Sequence, residues 1–136
     1  MAKLSKETVK GIQSLLPFPI PITNPVDILG FGYAIPELYG ETVRKILMDD
    51  NVDLLLAIYL PSFQPEIRVP AQEMIEAVKE YRKQIVAALN SPLIKKPKEV
   101  VELENAGIPV FFDPESGARA SATLVYYYTK VRSTKM

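Results

Sequence analysis

Between Val52 and Arg82 the chain leaves little choice of fold. Val52, Leu54, Leu55, Leu56, Ala57, Ile58, Tyr59 and Leu60 make a continuous apolar run broken only by Asp53. A run of this length, closed by Pro61, predicts a strand buried on both faces. Pro61-Ser62-Phe63-Gln64-Pro65 suits neither strand nor helix and predicts a loop. Pro70 then fits a first helical position, where its missing N–H costs nothing. Ala71, Met74, Ile75 and Val78 recur at helical spacing, with Glu73, Glu76, Lys79 and Glu80 on the other side. Buried strand, short loop and amphipathic helix form one α/β unit. Open α/β sheets bind ligands beyond the carboxyl ends of their strands, where helix N-termini present free N–H groups. The loop Pro61–Val69 is the first candidate for function, with a plain strand-to-helix connection as the alternative.

Several chemistries are excluded outright. The 136 residues contain neither cysteine nor histidine. Disulfides, thiolate zinc sites and a Cys nucleophile are absent, as are a Ser-His-Asp triad, imidazole ligation and phosphohistidine within this chain. General acid–base work would fall to carboxylates, Lys and Tyr with shifted pKa values. This favours a binding module or subunit over a complete enzyme. Sixteen basic and sixteen acidic residues cancel, so nothing points to nucleic acid or a charged membrane surface. No apolar run approaches a membrane span, and the start, Met-Ala-Lys-Leu-Ser-Lys-Glu, lacks a signal core. A soluble, cytoplasmic protein with no membrane partner is the default expectation.

The rest of the chain continues the alternation. Leu4 to Leu16 reads as a helix capped by Ser5, with Val9, Ile12, Leu15 and Leu16 on one face, ended by Pro17-Phe18-Pro19. Ile20, Ile22, Val26 and Ile28 alternate and predict a short, interrupted strand. Pro36 to Met48 is a second helix with Leu38, Tyr39, Val43, Ile46 and Leu47 as its stripe. Gln84 to Leu89 is a strand, closed by Asn90-Ser91-Pro92. Lys95 to Ala106 is a helix that Gly107 ends. Ile108 to Phe112 is a last strand, and Asp113-Pro114 opens a last helix. Strands alternating with helices imply right-handed βαβ units on a parallel sheet. The predicted fold is α/β, a flavodoxin-like three-layer α/β/α sandwich with a short, mainly parallel sheet of four to five strands.

Other local signals have simple readings. Gly30-Phe31-Gly32 lacks the third glycine of a dinucleotide fingerprint and reads as a turn. Asp49-Asp50-Asn51 reads as a solvated turn, with no converging metal ligands. Lys95, Lys96 and Lys98 could meet a phosphate but match a solvated face. Tyr126, Tyr127 and Tyr128 point about 100° apart on a helix, so at least one ring should be exposed or meet a partner.

The leader Leu4-Ser5-Lys6-Glu7-Thr8, a proline-containing hinge and Asn24-Pro25-Val26-Asp27-Ile28-Leu29-Gly30 come in a fixed order. Asp49-Asp50-Asn51-Val52-Asp53, the buried strand, the proline-bearing loop and Ala106-Gly107-Ile108-Pro109-Val110-Phe111 follow. In this series the chain resembles the ligase domain of the nucleoside-diphosphate-forming acyl-CoA synthetases, of the succinyl-CoA synthetase superfamily. The resemblance implies a leader helix and hinge over 1–18 and a ligase domain over 19–132. It implies a part of an ADP-forming acid–thiol ligase, inactive alone. Phosphoryl transfer between nucleotide and a phosphohistidine on another domain would be assisted by a helix N-terminus. Ser62, Phe63, Gln64, Pro70 and Ala71 would face that phosphohistidine. Asn24, Asp27, Gly30 and Gly32 would shape the signature loop. No residue of this chain would be catalytic or hold a metal. CoA, ATP or ADP and Mg are implied for the complete enzyme. The implied partners are CoA-binding, histidine-bearing and ATP-grasp domains, and an oligomer is compatible with this. A regulatory or scaffolding module like the inactive synthetase domains of protein acyltransferases, or a small flavodoxin-like anion binder, would fit the same residues. The chain departs from the family at Asn90-Ser91-Pro92, where a glycine-rich turn is common.

Overall fold

The structure, a computed structural model, describes residues 1–59, 70–89 and 98–132. Its elements are α1 (Lys6–Gln13), α2 (Phe31–Ala34), α3 (Pro36–Met48), β1 (Leu54–Tyr59), α4 (Ala71–Tyr81), β2 (Gln84–Leu89), α5 (Lys98–Asn105), β3 (Val110–Phe111) and α6 (Pro114–Tyr126), which runs on as a π-helical segment, Tyr127–Arg132. The described strands pair in the order β1-β2-β3, all parallel, with Leu54 opposite Gln84 and Ala87 opposite Val110. Strand β2 is central, and its residues Ile85 to Leu89 are all buried.

The two faces of the sheet are covered differently. Ala57, Ile85 and Ala87 pack with Val43 and Leu47 of α3, Met74 and Ile75 of α4, and Leu103 of α5. The alternate residues Leu56 and Ala88 meet α6, which approaches closely enough that a Cβ on Gly117 would lie 3.1 Å from both side chains. Period-two alternation thus sends one strand set to each helical layer, and the three-layer α/β arrangement is present.

Capping follows the sequence signals. Ser5 Oγ accepts from Thr8 N–H at 3.1 Å, and Asp113 Oδ1 accepts from Ser116 N–H at 2.7 Å. Gly107 takes the left-handed conformation, φ +82°, that ends α5. Arg82, also left-handed, ends α4. Pro70 is the residue before α4 rather than its first helical residue.

Two expectations are corrected. Residues 20–28 form no strand. Pro19, Pro21 and Pro25 remove main-chain donors that a ladder needs, and Ile20, Ile22, Val26 and Ile28 instead pack with Ile12, Leu16, Leu38, Ile46 and Val52 in a second apolar cluster. The described residues contain three strands of the predicted parallel sheet. Asp49 is not solvated: it is buried at the end of α3, and its carboxylate accepts from Ser5 N–H at 2.7 Å and Asn51 N–H at 3.0 Å. Lys83 Nζ donates to the Asp49 carbonyl at 2.8 Å.

Burial alone would raise the Asp49 pKa. The main-chain donors of Ser5 and Asn51 and the hydroxyls of Thr8 and Ser5 outweigh it, and the net shift is downward. A carboxyl lowered in the folded state contributes stability above its unfolded value of about 3.9 and loses it as pH falls through the folded value. Asp49→Asn is expected to be less stable than wild type by about 1–3 kcal/mol at neutral pH. In denaturant melts across pH the two should converge below about pH 4; a gap unchanged into acid would show that the charge is not what Asp49 contributes.

Candidate functional site

The amino end of α3 lies beside the carboxyl end of β1. Tyr39 stacks edge-on against Tyr59 with ring centroids 5.6 Å apart, and its hydroxyl donates to the Ile58 carbonyl at 3.3 Å. Each helix that follows a parallel strand starts at this same edge of the sheet. The starts of α3, α4, α5 and α6 therefore share it. Their capping differs. Asp113 closes the first turn of α6 with its side chain, and the Ser116 N–H it accepts holds its carboxyl below the ordinary value. The residues preceding α3 and α4, Ile35 and Pro70, supply no side-chain cap. The first-turn N–H groups of those two helices are left to other partners, and the macrodipole makes such ends favourable to an anion.

The expected site residues fall in different places. Ser62, Phe63 and Gln64 lie outside the described residues, as do Asn90-Ser91-Pro92 and Lys95 and Lys96. Pro70 and Ala71 are both buried at the start of α4; Pro70 has no N–H to give, so of the two only the Ala71 main-chain N–H could meet a ligand. Lys98 is exposed and pairs with Glu102 at 3.1 Å.

The signature loop is distributed along the molecule. Asn24 Nδ2 donates to the Ala2 carbonyl at 2.9 Å, tying the loop to the chain start. Asp27 Oδ1 accepts from Leu29 N–H at 2.7 Å, and this turn holds Leu29 in the left-handed region, φ 56°. Gly30 precedes α2 at an ordinary φ of −76° and has open space around it. The turn therefore asks its unusual backbone of Leu29, not of Gly30. Gly32 is buried, and a Cβ there would stand 3.2 Å from Tyr39 Cδ2, so its role is close packing against the aromatic pair at the sheet edge. Tyr39 itself reads from sequence only as part of an apolar stripe. Nothing in the spacing shows that its hydroxyl reaches β1.

Among the described residues no three acidic, histidine or cysteine side chains converge as metal ligands. A shallow depression of about 540 Å³ lined by Lys3, Leu4, Ser5, Lys6 and Asn51 lies near Asp49. No described helix is long and apolar enough to cross a membrane.

Known proteins similar to this chain share one theme. The chain is 35% identical over 130 residues to the acetate–CoA ligase [ADP-forming] II subunit alpha of Pyrococcus furiosus, covering 92% of this chain and 28% of that one. It is 28% identical over 127 residues to acetate–CoA ligase [ADP-forming] I of Archaeoglobus fulgidus, covering 93% of this chain and 17% of the relative. Over nearly its whole length the chain is thus a homologue of one segment of proteins named ADP-forming acetate–CoA ligases. A trans-feruloyl-CoA synthase is 27% identical over 124 residues, across 89% of this chain and 18% of its own length. The crystal structure of PH0766 from Pyrococcus horikoshii OT3 superposes with a TM-score of 0.79 at 32% identity, over 92% of this chain and 29% of that one. No protein-family model matches. The chain thus spans less than a third of each of these acyl-CoA synthetase relatives.

Proposed function

We propose that this chain serves as the ligase-domain part of an ADP-forming acyl-CoA synthetase, with residues 1–18 as leader and hinge and 19–132 as the domain. The observation that carries the reading is the 35% identity to an ADP-forming acetate–CoA ligase subunit across 92% of the chain. The chain has no histidine, so a phosphoryl-carrying imidazole has to come from another domain. This chain's part is electrostatic. The α4 start, with no side-chain cap from Pro70, offers main-chain N–H groups and a positive dipole end to a phosphoryl group. Ser62 and Gln64 add side-chain donors from the adjoining loop. CoA, nucleotide and Mg belong to the complete enzyme. In this reading the Mg–nucleotide falls to the CoA-binding, histidine-bearing and ATP-grasp partners. The location that follows is cytoplasmic.

A chimera tests this reading. The aligned segment of the Pyrococcus furiosus subunit is replaced by this chain, and ATP formation from an acyl-CoA, ADP and phosphate is measured. Retained turnover is expected, with a loss of about tenfold or more when Ser62 and Gln64 are both changed to alanine, the scale of removed oxyanion-type donors. A folded, fully assembled chimera without turnover would sink the proposal.

A further inference from the structure

Residues 1–30 are attached to the rest of the molecule in an unusual way. Helix α1 packs on α3 and on no other described element. Its buried apolar residue, Ile12, and Leu16 beyond its end belong to the second apolar cluster, whose buried residues are distinct from those of the core beneath the sheet, with half-buried Leu55 packed against both. Residues 17–27 show no main-chain hydrogen bond to the rest of the fold among the described residues. Every described hydrogen bond from residues 1–30 to the body beyond residue 36 ends on Asp49. Segments with few main-chain bonds and a separate apolar contact are those that open as cooperative units below the global unfolding free energy.

We propose that residues 1–30 form a latch that opens as a unit, and that the Asp49 carboxylate is the keeper that holds it closed. The latch carries the signature loop with it, because Asn24 is tied to Ala2, three residues before the Ser5 N–H that Asp49 holds. Closure places Ile28 beside Gly32, whose other neighbour is Tyr39, and Tyr39 touches the carboxyl end of β1. A buried carboxylate at one edge of the sheet thereby sets the position of a loop reaching toward the other. This holds whether or not the chain works in a synthetase.

Hydrogen exchange read by mass spectrometry on the full chain tests the latch. In Asp49→Asn one acceptor oxygen becomes an amide donor, which cannot receive a main-chain N–H. Amides of residues 6–16 should then exchange about tenfold or more faster, the scale of one lost charge-assisted hydrogen bond, while α4 and β2 keep their protection. Equal acceleration throughout, or unchanged exchange at 6–16, would overturn the proposal. Ser5→Pro supplies an independent variant from the other side. Ser5 has φ −66°, which proline adopts without strain, and the change deletes the N–H that Asp49 accepts. Ser5→Pro also deletes the Oγ that caps Thr8 N–H, so Ser5→Ala, which removes the cap and keeps the N–H, is its control: Ser5→Pro should accelerate residues 6–16 about tenfold beyond Ser5→Ala, and equal exchange in the two variants would overturn the latch.

Discussion

Replacing Gly40 by valine is expected to lower the unfolding free energy by about 3 kcal/mol, at the upper end of what overpacking costs. Gly40 sits in α3 where α4 crosses it, and even a Cβ there would stand 2.6 Å from both Cβ and Cγ of Glu73. The Glu73 Cβ is fixed to the α4 backbone and cannot swing aside, so the helices have to separate. They share the apolar contacts of Val43, Leu47, Met74 and Ile75, which separation would loosen. It would also strain the ion pairs of Arg44 with Glu76, 2.9 Å, and Glu80, 3.9 Å, but these are exposed and add little. Gly40→Ala should cost less, because the gain in helix propensity of about 1 kcal/mol offsets part of the clash. Gly11→Ala is the control. Its Cβ would meet only the Lys45 side chain, nearest at Cδ, 3.2 Å, which can move, and it should be neutral or stabilising by up to about 1 kcal/mol. Denaturant midpoints at constant slope read all three. A neutral Gly40→Val would mean that the two helices do not approach this closely in solution.

Leu89→Ala should be at least as damaging, about 4 kcal/mol within the usual range of about 2–5 for a buried leucine. Leu89 ends the central strand, is fully buried, and packs with Tyr59 and Val100 directly beneath the carboxyl edge of the sheet. Strands on both sides of β2 keep that site from collapsing onto the cavity, which places the cost high in the range. Ile58, one strand away and 52% exposed, is the contrast. Ile58→Ala should cost under about 1 kcal/mol, since little apolar area is lost from the interior. Equal losses at the two positions in thermal or denaturant unfolding would contradict the burial difference. Leu89→Ala should also loosen the edge on which α3 and α4 begin, so in the chimeric synthetase its effect on turnover should exceed that of Ile58→Ala.

Much of the fold was legible because local chemistry and global packing agree. The apolar run 54–59, the stripes of α3 and α4, the caps Ser5 and Asp113 and the left-handed Gly107 each act over a few residues. Their signals survive without knowledge of the rest of the chain. The segment 20–28 failed for the opposite reason. Its alternating isoleucines satisfy a strand pattern, while its prolines deny the ladder, and the tertiary cluster around Ile12 and Ile46 decided between them. Asp49 failed because sequence shows only an acidic turn, whereas the donor that makes burial tolerable lies 44 positions away, at Ser5.

The candidate site divides along the same line. Strand, loop and helix order alone pointed to the carboxyl end of the sheet as the candidate edge, and the absence of histidine and cysteine fixed what chemistry this chain cannot perform. Composition and order are properties of the chain itself. Which helix starts are capped by their own preceding residue, how Gly32 and Tyr39 meet under the signature loop, and why Leu29 rather than Gly30 takes the left-handed turn are different matters. They depend on distances between residues remote in sequence. Only packing sets those distances, because a buried donor or methyl group is satisfied or excluded by whatever neighbour the fold delivers.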